Sequence, residues 1–409
     1  EEATYALAAL EYFYPMLCLH SKVMPEEEAA AVMCDSDHAN KSAGFPWCRL
    51  GCPTKSKVVE QFGIEGLKDY YNKFTSVVGS TLKAELRPCT VVDGFLKRKD
   101  ARFFRPQDAS SFFEACQLFA DQNDYILGCL LTSPVFAKYQ TPGQDIVKLY
   151  RQHEYFGGEH YGADGSRWDA HFSLWGASII AQWRARYLPR DRVIKYYTQM
   201  YNGYTNVNGH IVNIIGNPSG HFNTTTDNSL LHIIALSVHA RRCGLKIEEF
   251  ATNVLFHCCG DDLLISDKTG MFNPASLDET YVSLGLYLEY EFTVPKSIYE
   301  LTFVGVNFFR YTFLSQTYWL YAIKSTKAMA NSILRKKRNS DFVEFQKLCS
   351  LAQMTFADKQ TYDIIHKVLI EFLEKCFTNG TLSPSQPAVR GSLAACSPDV
   401  LIRRYLELE

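Results

Sequence analysis

The stretch "HCCGDDLLIS", His257–Ser266, sets two bare carboxylates, Asp261 and Asp262, side by side between two apolar runs. Adjacent acids repel, and neither a strand nor a tight turn gains stability from charging both. One reading is a surface hairpin, because Gly-Asp is ordinary turn chemistry. The other is a hairpin whose turn supplies oxygen ligands to a cation. A Gly-Asp-Asp arises by chance in roughly one chain of this length in ten, so the choice needs a second group.

Working outward, "NVLFHCCGDDLLIS" reads as strand, turn, strand. Upstream, residues from about His221 to Cys243 carry apolar positions at Leu230, Leu231, Ile234 and Val238. That is helical spacing, with Gly244 as the stop. "NVNGHIVNIIG" (Asn206–Gly216) has the Asn-Gly turn and flanking β-branched residues of a hairpin. A strand is expected to end near Asp164, and an amphipathic helix to follow over Ala170–Leu188. Residues 1–160 read as short helical and irregular segments with basic clusters. "LTFVGVNFFRYTFL" (Leu301–Leu314) reads as another hairpin, and the last hundred residues mainly as helices, including Thr361–Phe377. The order implies an α+β catalytic centre with flanking lobes.

The second acidic group is "YGADGSRWDAHF", with Asp164 at a strand end and Asp169 just before a helix. Strand-end and hairpin carboxylates converge if their strands are neighbours in one sheet. Oxygen ligands suit Mg²⁺, and a pair of cations about 4 Å apart can activate one oxygen and stabilise another in an in-line phosphoryl displacement. The plainer alternative is that Asp164 caps a helix and the Gly-Asp-Asp is a solvated turn. Between the acids lies "GNPSGHFNTTTDNSLLH" (Gly216–His232), a flexible loop with small polar groups at Ser219, Thr224 and Asn228. Thr224 and Asn228, four apart, share one helix face. On its own this polar stripe reads as a capped helix start.

Taken together, Asp164-x4-Asp169, Ser219-Gly220-x3-Thr224-x3-Asn228 and Gly260-Asp261-Asp262 resemble motifs A, B and C of viral RNA-dependent RNA polymerases. "KSAGFPW" (Lys41–Trp47) is similar to motif G of picornavirus-like members. "LKAELRP" (Leu82–Pro88) and "KRKDARFFRP" (Lys97–Pro106) resemble the two basic parts of motif F. "VPKSIYE" places Lys296 where motif D carries its lysine, and "TFVGVNFF" resembles the motif E hairpin. Seven motifs in order span most of residues 41–310, and "GNPSG" and "ARFFRP" lean towards astrovirus-like or potyvirus-like members.

The resemblance implies a right-hand fold of fingers, palm and thumb, with a small antiparallel palm sheet flanked by helices. It places fingers at 1–157, palm at 158–188, a fingers insertion at 189–215, palm at 216–313 and thumb at 314–409. It implies that Asp164 and Asp261 hold two Mg²⁺ ions, or Mn²⁺ in their place, with Asp262 an outer ligand. Asp169, Ser219, Thr224 and Asn228 would read the ribose 2′-hydroxyl. Lys83, Arg87 and Arg102 would bind the triphosphate, and Lys296 would protonate the leaving group as a general acid. Ser42, Gly44, Pro46 and Gly220 would touch the template. Partners implied are an RNA template and primer, nucleoside triphosphates, a protein primer and other viral replication proteins. The expected setting is host cytoplasm at membrane-associated replication complexes.

Composition narrows the field without deciding it. The 409 residues are 47% hydrophobic and 21% charged, typical of a globular chain and far from disorder. Net charge is −2, so any groove that grips RNA must be locally basic. Thirteen cysteines are irregularly spaced, without a CxxC pair, and read as reduced buried thiols rather than a zinc site built on Cys48 and Cys52. No apolar run approaches the ~18 residues of a membrane span. The chain begins at Glu1 rather than Met, as expected of a processed or trimmed product. "RKKR" (Arg335–Arg338) reads as a backbone-binding or exposed helix end. Cys259 stands where an aromatic is usual in picornavirus-like members, which should change packing beneath the turn without removing a ligand. A reverse transcriptase would favour a bulky aromatic at Asp169 and lack Asn228; an inactive RNA-binding scaffold would have lost a carboxylate of motif A or C. Neither departure is present.

Overall fold

The computed structural model describes residues 1–406 except 75–76, 80, 83–88, 93–94, 99–102, 140–142, 208–209 and 334–339. The expected Asn208-Gly209 turn, the Arg335–Arg338 run and the cations Lys83, Arg87 and Arg102 therefore lie outside the described residues. The chain forms two compact units. One comprises Glu1–Glu85, Lys99–Lys138 and Ala163–Val294; the other Leu86–Arg98, Tyr139–Gly162 and Pro295–Glu409.

The first unit is organised by the helix Thr224–Arg242, in which every residue from Thr226 to Ala240 is buried. A helix surrounded on all sides needs no amphipathic stripe, which is why only part of its sequence shows helical spacing. It stops where the sequence says. Gly244 adopts φ +77°, its N–H donates to Arg241 O at 3.1 Å, and the Leu245 N–H donates to Ala240 O at 3.0 Å. This pair of bonds satisfies carbonyls that the helix end would leave orphaned. Helix Glu2–Phe13 packs on it through Ala6 and Leu10, and Tyr5 donates to Leu245 O at 2.9 Å.

The expectation of short and irregular segments before residue 160 is corrected by two long helices, Lys55–Lys73 and Ala109–Gly128. The second is buried along most of its length and capped by Asp108, whose Oδ1 accepts from the Ser110 and Ser111 N–H groups at 3.0 Å. Its polar residues Glu114, Gln117, Gln122 and Asn123 are buried too; they are paired inside the fold, so the sequence lacks the expected apolar face.

A four-stranded sheet carries the two acidic segments, in the order Leu288–Tyr290, Glu159–Gly165, Asp262–Asp267, Val254–Cys259. Asp262 pairs with Cys259 and Asp267 with Val254, so Gly260 and Asp261 form a two-residue turn. Gly260 has φ +66° while Asp261 does not leave the ordinary region, the placement a type II′ hairpin uses. A second hairpin, Asn202–Val207 with His210–Ile215, joins Val77–Gly79 in a three-stranded sheet.

Two further expectations shift. The helix expected over Ala170–Leu188 is a single turn, Trp168–His171, then a separate helix Leu174–Arg184. Ser173 starts the second by accepting from the Gly176 N–H at 3.1 Å, so an N-cap lies inside the apolar run. In the second unit, the hairpin expected over Leu301–Leu314 lies further along, as Val306–Phe313 paired with Gln316–Ile323. Its turn residues Leu314 and Ser315 have φ of 48° and 65°, conformations usually given to Asn or Gly, so the turn carries no sequence signal. Around this hairpin, Tyr299 stacks on Trp319 at 4.5 Å and Tyr150 meets Phe308 at 4.1 Å. The C-terminal helices Asp341–Thr355, Lys359–Thr378, Pro387–Ala394 and Pro398–Leu406 complete it. Among the described residues no helix is long and apolar enough to cross a membrane.

Candidate active site

The sheet brings the two acidic segments together. The Gly165 N–H donates to Asp261 O at 2.9 Å, so Asp164 at its strand end lies beside the Gly-Asp-Asp turn. Asp164 is exposed; Asp261 and Asp262 are half-buried. Both hairpin acids act on the neighbouring Cys259, whose thiol is pushed up to about 12 by burial and then by the charges of Asp262 and Asp261. Cys259 is thus an inert protonated packing group under the turn.

Two bonds fasten the turn to the central helix. The Gly260 N–H donates to Ser229 Oγ at 2.8 Å, and the His232 ring meets Asp261 O at 3.1 Å. His232 is fully buried, and that burial lowers its pKa to about 3, so the ring is neutral. A carbonyl only accepts, so Nε2 carries the proton and Nδ1 accepts from Tyr281 OH at 3.2 Å. The other ring face stacks on Trp168 at 4.0 Å, and Trp168 Nε1 donates to Asn228 O at 3.3 Å. The single turn that carries Asp169, the long helix and the acidic hairpin are therefore locked together through neutral, buried partners.

Asp169 is the second focus. Ser219 Oγ donates to its Oδ2 at 2.5 Å and Asn228 Nδ2 to its Oδ1 at 2.9 Å. The Asn217 N–H donates to Asp169 O at 2.8 Å. The loop must come this close, because a Cβ at Gly216 would stand 2.7 Å from Asp169 O. Glycine is needed there for both space and its φ of +127°. Three of the four residues expected to read a ribose thus meet in one network. Thr224 does not join it; its hydroxyl donates to His221 O at 2.9 Å and closes the first turn of the helix.

The expected template group divides in a similar way. Ser42 is exposed and accepts from the Gly44 N–H at 3.1 Å. Gly44 is buried, with φ +72°, and a Cβ there would come within 2.8 Å of Asp108 Cα. Backbone packing is what demands glycine at this position. Pro46 precedes the short helix Trp47–Leu50, and Gly220 O accepts from the Gln107 N–H at 3.5 Å. Lys296 belongs to the second unit, where its N–H donates to His160 O at 3.4 Å.

Sequence reasoning passed over two residues at this site. Asn217 stands inside "GNPSG", where the glycines, proline and serine carry the motif and a lone amide between them gives no signal of its own. Arg105 stands inside "KRKDARFFRP", where nothing in the basic run distinguishes it from its neighbours. Arg105 Nη2 donates to Asn217 O at 2.7 Å, and its pKa is lowered by burial against the opposing pull of Asp169.

The donor set near the turn is all carboxylate oxygen, which suits Mg²⁺ or Mn²⁺ rather than zinc. Among the described residues no three His, Cys, Asp or Glu side chains gather into a complete metal cage.

The chain matches the family described as "Viral RNA-dependent RNA polymerase" over residues 25–319. Among curated proteins it resembles the genome polyprotein of Pea seed-borne mosaic virus (strain DPD1), 26% identical over 253 residues, covering 54% of this chain and 8% of the polyprotein. The genome polyprotein of Beet mosaic virus is 30% identical over 148 residues, 34% of this chain and 5% of that one. The chain therefore spans under a tenth of the length of these relatives. Among solved structures, the Sicinivirus 3Dpol RNA dependent RNA polymerase superposes with a TM-score of 0.72 at 16% identity, covering 99% of this chain and 85% of that one. The likeness shows the right-hand α+β fold, and the match over most of the chain makes this protein a member of the viral RNA-dependent RNA polymerase family.

Proposed function

We propose that the chain extends RNA on an RNA template, joining nucleoside triphosphates to a 3′-hydroxyl with two divalent cations held by Asp164 and Asp261. The 3′-oxygen forms a bond to the α-phosphorus, its proton departs, and the bond to pyrophosphate breaks. When bound, Mg²⁺ or Mn²⁺ would lower the proton affinity of the attacking oxygen and offset charge on the leaving one. Asp164 and Asp261 supply the anchoring oxygens, with Asp262 as an outer ligand. Asp169, Ser219 and Asn228 face the ribose 2′-hydroxyl, and Thr224 keeps the helix start in place for them. Lys83, Arg87 and Arg102 balance the triphosphate, and Lys296 protonates the leaving group. Ser42, Gly44, Pro46 and Gly220 border the template path.

The names follow from the same reading: fingers for 1–157 and 189–215, palm for 158–188 and 216–313, thumb for 314–409. The polyprotein relatives support a genome replicase cut from a longer precursor. It would work with a protein primer and other viral replication proteins at membrane-associated complexes in host cytoplasm. The observation that carries the proposal is the Gly165–Asp261 backbone bond of 2.9 Å, which sets a strand-end acid against the acidic hairpin. The test gives purified protein a homopolymeric RNA template, with and without primer, in Mg²⁺ and in Mn²⁺. Template-dependent incorporation that vanishes with EDTA is expected; incorporation that survives chelation would remove the metal role.

A further inference from the structure

Asn228 poses a problem of polarity. Its side-chain amide has a donor end and an acceptor end of nearly equal size, and the two could exchange by a half-turn. The Asp169 carboxylate only accepts, so Asn228 must show it the NH₂ end; the contact is Nδ2 to Oδ1 at 2.9 Å. The acceptor end, Oδ1, is then left facing the fold interior, where Asn217 Nδ2 donates to it at 2.6 Å. Asn217 is fully buried and cannot wander. Its N–H is held by Asp169 O at 2.8 Å and its carbonyl by Arg105 Nη2 at 2.7 Å. Its own Oδ1 is buried without a hydrogen-bond partner.

An unpaired buried acceptor is unfavourable, so the arrangement is not one that packing alone would select. Turning the Asn217 amide over would aim that oxygen at Asn228 Oδ1, acceptor against acceptor. The strain is accepted in exchange for a fixed direction of donation: Asn217 to Asn228, Asn228 to Asp169. One hydrogen of Asn228 Nδ2 remains without a protein acceptor among the described residues, next to a carboxylate that also accepts from Ser219 at 2.5 Å. A free donor beside an acceptor is the complement of a hydroxyl group, which both accepts and donates.

We propose that Asn217 is a positioning residue for ribose selection: its buried amide fixes the orientation of the Asn228 amide, so that a donor N–H and the Asp169 carboxylate face the nucleotide sugar together. The inference rests on the polymerase reading above and deepens it. Without Asn217 the inner end of the Asn228 amide loses its only side-chain donor among the described residues, the bond to Asp169 alone holds its direction, and its grip on a 2′-hydroxyl loosens.

The test compares kcat/KM for a ribonucleoside triphosphate and its 2′-deoxy counterpart on an RNA template and primer. Asn217→Asp keeps shape but replaces the donor with an acceptor. Asn217→Ala removes the donor without adding charge, should the buried acid prevent folding; melting and template binding check both. Loss of one directing hydrogen bond should lower the ribo-to-deoxy ratio by roughly 5- to 10-fold in Asn217→Ala. Made on top of Asn228→Ala, the same change should move the ratio by less than about 2-fold. A folded Asn217→Ala with an unchanged ratio, while Asn228→Ala collapses it, would overturn the role of Asn217 and leave the ribose reading standing. If Asn228→Ala and Asp169→Ala also leave the ratio alone, the ribose reading itself fails and this inference with it. No incorporation by the unaltered chain would remove the polymerase reading first.

Discussion

Asp227 and Asn228 are consecutive residues of one helix, yet they belong to polar networks of opposite character. Asp227 turns into the interior. Its carboxyl accepts from Arg184 Nη2 at 2.9 Å, Tyr197 OH at 2.8 Å and Tyr201 OH at 2.7 Å, with none of its side chain exposed. Burial drives both phenols well above their ordinary range, so they stay O–H donors. Arg184 is equally buried, donates to Gln122 and Asn123 at 3.2 and 2.9 Å, and lies over the Phe119 ring at 5.1 Å. Asn228, one residue on, donates to the half-buried carboxylate of Asp169. The closed network holds the helix in place; the open one ends on a carboxylate that is not sealed from solvent.

The comparison breaks first at the acidic hairpin. Asp261→Asn should lower nucleotide incorporation by at least ~10³-fold, because a metal anchor is asked for several kcal/mol of transition-state stabilisation. RNA binding and melting temperature should hardly move. Single-turnover incorporation alongside filter binding separates the two effects, and near-normal incorporation by this variant would refute the anchoring role.

On the closed side the effect should be stability instead. Asp227→Leu strands the Arg184 guanidinium in a fully buried site and should destabilise the first unit by about 3–5 kcal/mol. Equilibrium urea unfolding measures it. Asp169→Ala inverts the pattern. Unfolding should change little, while the preference for ribo- over deoxyribonucleotides should fall roughly 10- to 150-fold, the worth of a hydrogen bond to a charged group. Equal losses of stability in the two variants would erase the distinction between the networks.

The two networks were unequally legible in the sequence. Asp164, Asp169, Asp261 and Asn228 stand out in the sequence by residue type and spacing, and the fold joins Asn228 to Asp169 and sets the Asp164 strand end beside Asp261. Arg184 and Asp227 gave no such signal, since a buried ion pair resembles any two surface charges until the fold brings them together. The same blindness hid the helix Ala109–Gly128, whose buried polar side chains spoil its apolar pattern. The hairpin after Leu301 was displaced for another reason: the chain reverses at Leu314–Ser315, residues that carry no turn signal. The central helix was legible at its end, through Gly244, and partly along its length. Thr224 shows the limit of spacing as a guide: it shares a face with Asn228, yet its hydroxyl closes the helix start.

The smallest effect probes the closed network through its histidine. Gln107 Nε2 donates to the Tyr196 oxygen at 3.1 Å, and Tyr196 OH lies 3.0 Å from His221 Nδ1. His221 Nε2 lies 3.3 Å from the Tyr201 oxygen, whose own hydrogen goes to Asp227. Tyr201 has one proton and has given it away, so it accepts from Nε2–H; Nδ1 is then left to accept from Tyr196. The relay runs one way and requires a neutral ring. Burial, then the charges of Arg184 and Arg105, lower the His221 pKa to about 3. The unfolded ring titrates near 6.5, so between pH 6.5 and 3 the unfolded chain binds a proton that the folded chain refuses. Stability is therefore complete above pH 6.5 and declines as pH falls, by about 1.4 kcal/mol per pH unit for this one group. His221→Gln should be less stable at pH 7, where the relay is broken, but should lose that much less per unit between pH 6 and 5 in urea titrations. A variant with the slope of the unaltered chain would mean that His221 takes up a proton inside the fold, and that the network around Asp227 is as open to charge as the one around Asp169.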